Sequence, residues 1–288
     1  MEYSENDIIY NTLISVVIPV FNSSGFICEC IDSVLNQTFQ DFEIIIVDDG
    51  STDNSVDIIK SYKDTRIKLI CNTHNFIESL NIGMSKAQGK YIARMDSDDI
   101  MLPERLLLQY DYLEAHPDVD VCGGFAQCFG ESDRQISLAT SHKDIISGFI
   151  LHNMMAHPTV MLRKRIVFLF PKEDNIYQCY NPEYQYAEDY KLWTELAMKG
   201  CRFANITTVI LKYRISVNQV TSQKQSEMMA SSYKISAEFV EFVGELIVKQ
   251  DKAYENILNE AIELHNNDKI QYYTLQNILS NLPSFINN

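Results

Sequence analysis

The chain has 288 residues, 46% of them hydrophobic, enough to bury one large core or a core with an appendage. Its 24 basic residues face 39 acidic ones, a net charge of −15, which argues against a general nucleic-acid-binding surface. No apolar run nears the roughly 20 residues that span a bilayer, and the N-terminal MEYSENDIIYN lacks the basic and apolar regions of a signal peptide.

In chain order, the apolar run Ile14–Pro19 is predicted as a strand, followed by a helix over 25–37. A second strand follows over 43–48 with a helix over 55–63, then a strand over 67–71, a helix over 77–86 and a strand over 91–95. Continuous Val/Ile runs suit strands buried on both faces, and their alternation with helices implies parallel pairing. The first 125 residues thus form a doubly wound α/β half, in which ligands bind beyond the carboxyl ends of the strands. Polar groups gather at those ends: Phe21-Asn22 after strand one, Asp48-Asp49-Gly50-Ser51 after strand two, Asp96-Ser97-Asp98-Asp99 after strand four. Asp96 and Asp98 share one side of an extended chain, so both can reach one hard divalent ion. Structural alternatives stand beside each. Asp49-Gly50 is a common turn dipeptide, Ser51 or Asp53 can cap the next helix, and the last Asp of the acidic turn can cap the helix that Pro103 helps begin. Asp118-Val119-Asp120 is also Asp-x-Asp and reads as ordinary loop-to-strand sequence.

Residues 126–215 mix short strands and helices around two notable pieces, Ala156–Met161 with His157-Pro158, and Ala187–Trp193 with Glu188-Asp189. Arg163, Lys164 and Arg165 form a basic cluster that is either a solvated face or a contact for an anionic acceptor. From about Ser216 the chain turns Glu/Lys/Asn-rich, with Phe239, Phe242, Leu246, Ile257, Leu258 and Ile262 at helical spacing. The expected organisation is a catalytic domain over 1–215, with halves 12–125 and 126–215, and a helical extension over 216–288. Seven cysteines, an odd number with no Cys-x-x-Cys pair, read as free and mostly buried thiols of a cytoplasmic protein.

Together SVVIPVFN (15–22), SVLNQTFQDFEIIIVDDGSTD (33–53), LNIGMSKAQGKYIARMDSDD (80–99) and AEDYKLW (187–193) resemble, in order and spacing, the family 2 glycosyltransferases. These are nucleotide-sugar-dependent enzymes of the GT-A fold, and the resemblance covers about residues 12–213. It implies an α/β fold with a mostly parallel, Rossmann-like central sheet flanked by helices, here with a helical C-terminal extension. By position, Pro19 and Phe21 would line the base pocket beside Asn22, and Asp49 would accept a hydrogen bond from the uracil edge, with Asp48 next to it. Asp96 would lie near the ribose or donor sugar, followed by Ser97, and Asp98 would be the main ligand of Mn²⁺ or Mg²⁺ at the diphosphate, aided by Asp96. Arg94 would steady a carboxylate or a phosphate. Asp189 falls at the family's catalytic base, with Glu188 before it.

On the acceptor side two readings stay open for each residue. Glu188 belongs to the site or is a first-turn acid beside the helix dipole. His157 reaches the active site or is a satisfied core histidine, and Trp193 borders the acceptor or packs under its helix. The implied partners are a nucleotide-sugar donor, UDP-linked by family weight, and a glycan or lipid-linked oligosaccharide acceptor. Peripheral association with the inner face of a membrane and a homodimer through the C-terminal helices go with them; nucleic acid does not. One loop departs from the pattern. Relatives often read Glu-Asn-x-Gly after strand three, whereas this chain has Asn72-Thr73-His74-Asn75, which puts donor contacts from that loop in doubt. A sugar-phosphate nucleotidyltransferase should carry a Gly-rich basic loop after strand one, and VFNSSGF has no Lys or Arg. A non-catalytic scaffold should have eroded acids, and Asp49, Asp96, Asp98 and Asp189 are all present.

Overall fold

Runs of β-branched residues that bury both faces of the backbone set the frame. In this computed structural model, which describes residues 10–216 and 224–250 with side chains to residue 245, β1 (Thr12–Val20) and β2 (Phe42–Asp48) are buried along most of their length. Strand alternation sorts their side chains into two cores. Ile14, Val16, Ile18 and Val20 pack with α1 (Ile27–Leu35), α2 (Ser55–Ser61) and α4 (Arg105–Ala115). Val17, Ile45 and Val47 pack on the other face, with α3 (Phe76–Lys86), α5 (His142–Gly148) and α6 (Glu188–Met198).

Parallel pairing follows from the crossovers. β1 lies between β2 and β4 (Gly89–Arg94), and β2 also pairs with β3 (Ile67–Cys71), all in parallel. The later strands are β5 (Ile100–Met101), β6 (Val121–Gly130), β7 (Gln135–Ile136), β8 (Met161–Arg163), a small hairpin of β9 (Lys172–Glu173) and β10 (Ile176–Tyr177), and β11 (Phe203–Ile215). The main sheet runs β3-β2-β1-β4-β8-β6-β11-β5, with β7 beside β6. β8 is antiparallel to both β4 and β6, as are β5 to β11 and β7 to β6, whereas β6 and β11 are parallel, so the sheet is mixed and its longest pairings are the parallel ones. β6 spans the division expected near residue 125, and one sheet serves both halves.

Each element expected through residue 95 is present with its ends within two residues of the expected ones. Of the C-terminal extension, one helix is described, α7 (Gln225–Gln250). Its Ile235, Phe239 and Val243 are buried in the same core as α6, and Glu238 accepts hydrogen bonds from Tyr184 Oη and Lys191 Nζ. α7 therefore packs on the described part of the catalytic domain. Ile257, Leu258, Ile262 and the side chain of Leu246 lie outside the described residues. All seven cysteines are free and five are buried. Among the described residues no helix is long and apolar enough to cross a membrane.

Candidate active site

β1, β2 and β4 end side by side, and short-range hydrogen bonds fix the chain as it leaves each. Asn22 takes the left-handed conformation (φ 48°); its Oδ1 accepts from the Thr52 amide at 2.8 Å, and its own amide donates to Ser51 Oγ at 3.0 Å. Asp48 accepts from the Ser51 amide at 3.2 Å, and Asp53 from the Ser24 amide at 2.9 Å, so both carboxylates are engaged in turns. Gly50, at φ 80°, passes so close to His74 that a Cβ there would stand 3.1 Å from the His74 amide nitrogen. Ser23 and Ser97 share a hydroxyl hydrogen bond of 2.7 Å, which ties the loop after β1 to the acidic turn after β4. Pro19 is buried at the end of β1.

Asp49 is buried, and its Oδ1 accepts from the Asn75 amide at 2.7 Å and from Ser79 Oγ at 2.8 Å. His74 Nδ1 lies 3.3 Å from the other oxygen, and its ring sits 4.2 Å from the ring of the exposed Phe21. The loop that departs from the family pattern thus walls the pocket around Asp49. Asn75 is extended (φ −150°), and its side chain caps α3 by accepting from the Glu78 amide. Ser79 and His74 carry no motif, and their part follows only from the way α3 begins.

At the acidic turn, Asp96 is ion-paired to Arg94 at 2.6 Å. Asp99 is buried and accepts from the Arg214 amide at 2.9 Å; Arg214 also donates to the Asp98 carbonyl and to Glu29. Asp99 is therefore the structural anchor of the turn, while Asp96, Ser97 and Asp98 stay partly open. Negative charge accumulates here. Burial, then Asp96 and Asp98, push Asp99 well above the usual carboxylate range; burial, then Asp99, Asp98 and Asp96, raise the Cys30 thiol. Partly open carboxylate oxygens with surplus negative charge suit a hard divalent cation. Among the described residues no three His, Cys, Asp or Glu side chains form a metal-holding group, so the remaining oxygens would come from substrate or water. The second Asp-x-Asp is structural: Asp120 takes Arg165 and the Arg202 amide, and Asp118 pairs with Arg202.

The opposite wall is the start of α6. Asp189 Oδ1 accepts from the Tyr190 amide and Oδ2 from Asn153 Nδ2, both at 2.7 Å. Both Glu188 and Asp189 keep a strip of surface open, but their carboxyl groups are set deep. Burial, then the charge of Asp189, push Glu188 up to about 7, and burial raises Asp189. Arg94 faces this pair as well as Asp96. It is 3% exposed, with Nε and Nη1 unpartnered, and its charge favours the ionised forms of Glu188 and Asp189. One buried guanidinium thus stands between the acidic turn and the α6 pair.

Behind Arg94 lie His157 and Trp193. His157 Nε2 is 2.9 Å from Tyr180 Oη, and burial, then Arg94, push its pKa far down, so it is neutral. Trp193 is wholly buried with its ring against His157. Of the acceptor-side candidates only Glu188 therefore reaches the surface of the site; the other two pack beneath it. The basic cluster is neither a solvated face nor an anion contact. Arg163 is buried and donates to the carbonyls of Val119, Leu113 and His116, Lys164 is buried on the Met84 carbonyl, and Arg165 pairs with Asp120.

The model of the family described as Glycosyl transferase family 2 matches residues 15–169. An uncharacterized glycosyltransferase of Haemophilus influenzae is 32% identical over 272 residues, covering 89% of this chain and 81% of that one. The UDP-Glc:alpha-D-GlcNAc-diphosphoundecaprenol beta-1,3-glucosyltransferase WfaP of Escherichia coli is 31% identical over 228 residues, covering 76% of this chain and 84% of that one. The crystal structure of S. aureus TarS 1-349 in complex with UDP-GlcNAc superposes with a TM-score of 0.64 at 18% identity, covering 95% of this chain and 82% of that one, a likeness of fold.

Proposed function

This chain belongs to glycosyl transferase family 2, and we propose that it is an inverting enzyme transferring a sugar from a UDP-sugar to a hydroxyl of a glycan or lipid-linked acceptor. The observation that carries this reading is Arg94: the acidic turn and the α6 carboxylate pair answer to the same buried guanidinium, so a donor side and a base side meet at one place. UDP is favoured over GDP or dTDP because WfaP is named for UDP-Glc and the TarS complex holds UDP-GlcNAc.

In this reading Phe21 and His74 flank the base, and Asp49, held from one side by Ser79 and Asn75, accepts from its edge. Asp98 and the free oxygen of Asp96 would hold Mn²⁺ or Mg²⁺, which when bound supplies positive charge to the departing diphosphate. Asp189 takes the proton of the acceptor hydroxyl as its oxygen attacks the anomeric carbon. The new carbon–oxygen bond forms as the bond to the phosphate oxygen breaks, the nucleoside diphosphate leaves, and a single in-line displacement inverts the centre. Arg94 opposes the burial cost of the ionised base. The acceptor reading places the enzyme at the cytoplasmic face of a membrane, with residues 216–288 as an extension of the catalytic domain.

Calorimetric titration of UDP, GDP and dTDP, with and without Mn²⁺, on the natural protein and Asp98→Asn tests the donor site. Metal-dependent UDP binding that the variant loses is the expected result. Failure of every nucleotide to bind would overturn the reading in favour of a non-catalytic scaffold.

A further inference from the structure

Among the described residues, Asp189 has one hydrogen-bonding side chain as a neighbour, and nothing in the motifs announces it. Asn153 lies in the segment between α5 and the 3-10 turn at His157–Thr159, 36 residues before Asp189, and its Nδ2 donates to Asp189 Oδ2 at 2.7 Å. The orientation of the amide is fixed from its other end, because Asn153 Oδ1 accepts from the Met155 amide at 3.0 Å. The amide nitrogen, and not the oxygen, therefore faces the carboxylate.

The segment that carries Asn153 is itself bolted in place. The amides of Leu151 and His152 both donate to the Gly148 carbonyl, at 3.0 and 3.1 Å. Met154 folds over Gly148, where a Cβ would come within 2.0 Å of the methionine methyl, so any larger residue there would have to displace the Met154 side chain. Asn205, from β11, donates to the Met154 carbonyl at 3.1 Å, and Ser236, from α7, donates to the Ile150 carbonyl. The end of α5 and two elements distant in sequence, β11 and α7, thus hold one short segment, the arrangement needed where a side chain must keep its aim to a fraction of an ångström.

We propose that Asn153 is the positioning residue of the base: its amide fixes the rotamer of Asp189 and keeps a hydrogen bond on the charged form of that carboxylate. The inference rests on the reading of Asp189 as the base. Its physical content is a balance. Asp189 is set deep and shares the start of α6 with Glu188, and Asp96 adds further negative charge from the acidic turn. Against these stand Arg94 from β4, the Tyr190 amide and Asn153. Arg94 already bonds Asp96, and His157 is bonded to Tyr180, which leaves the Asn153 amide, among the described residues, as the side-chain donor in contact with Asp189. A protonated Asp189 carries hydrogen on an acceptor and loses value from both bonds. Hence the amide selects the form that can take a proton.

The test is a ¹³C-carboxyl NMR titration of protein labelled at aspartate side chains, with the Asp189 signal identified by its loss in Asp189→Asn. In Asn153→Ala the Asp189 midpoint should rise by about one pH unit, the worth of a hydrogen bond to a charged group. Asn153→Asp, which keeps the shape and adds a charge, should raise it further; it also covers the case in which the alanine variant fails to fold. The acid limb of UDP release from UDP-GlcNAc, with water as acceptor, should move by the same amount. An unmoved midpoint in both variants, whatever their melting temperatures, would overturn the inference and leave the base reading standing. Undiminished UDP release by Asp189→Asn would overturn the base reading, and the inference with it, by a route independent of the NMR result.

Discussion

The rim formed by β1, β2 and β4 and the wall formed by α6 hold carboxylates by different means. On the rim the loops after β1 and β2 restrain one another through neighbouring turns, Asp48 by Ser51, Asp53 by Ser24 and Asn22 by Thr52, beside the register that sets Val20 opposite Asp48, while Asp49 also takes Ser79 of α3 and Asp99 the Arg214 amide of β11. On the wall, Asp189 depends on Asn153 from one segment, Arg94 from a strand, and a helix seated by α7 from the end of the described chain. Strand register places the rim, and packing places the wall. The rim should therefore survive changes in the core that disarm the wall.

The largest break in this contrast is Asp189→Asn. Turnover should fall by about a thousandfold, within the range general-base catalysis supplies, while calorimetry finds UDP affinity unchanged. Retained turnover would mean that the wall does not carry the base. Asp98→Asn should do the converse, lowering Mn²⁺-supported UDP affinity by about tenfold or more, equivalent to about 1.4 kcal/mol. A titration with unchanged affinity would take Asp98 out of the site. Next in size is Ser79→Ala, which removes one donor from the buried Asp49 carboxylate and should cost about 1–3 kcal/mol in denaturant unfolding, with UDP binding weakened and the acid limb of turnover in place.

A smaller effect separates the walls by pH. Folding lifts the Glu188 carboxyl from its ordinary 4.5 to about 7. Between those values the folded state binds a proton that the unfolded state has released, so this group's contribution to stability is fully present below 4.5 and is lost as pH rises through 7. Glu188→Gln should raise the melting temperature at pH 8 by about 2–4 °C and change little at pH 4. Equal shifts at both pH values would show that Glu188 does not titrate this way. Smallest is Asp118→Asn, which breaks a surface pair with Arg202: less than about 1 kcal/mol of stability and no change in turnover, although it disrupts an Asp-x-Asp sequence.

The same contrast explains what could be read from the sequence. β1 to β4 and their helices announce themselves through apolar runs and turn residues, because the inner strands β1, β2 and β4 bury both faces and each crossover is helical. Asp49, Asp96 and Asp98 are legible for the same reason, standing where such strands end. The partners of Asp189 are not. Asn153 sits in an irregular segment with no period, and its approach to Asp189 is decided by Asn205, Gly148 and α7. The triplet Arg163-Lys164-Arg165 misleads for a related reason: charge in sequence says nothing about which carbonyls a strand end will bury, and here guanidinium and ammonium groups satisfy the backbone of α4 and α3.

Helix α7 covers Phe149 with Phe239 and shares one apolar core with Trp193, Leu192 and Leu196. A chain ended at Ser216 would leave that seam wet. Such a shortened protein should gather into soluble aggregates or fail to express well, through an uncovered greasy strip rather than through loss of a natural pairing surface. Light scattering on a truncated chain would then report colloidal behaviour, and the question of whether two copies pair is better put to the full-length protein, with single charges placed on the exposed Tyr233 side of α7.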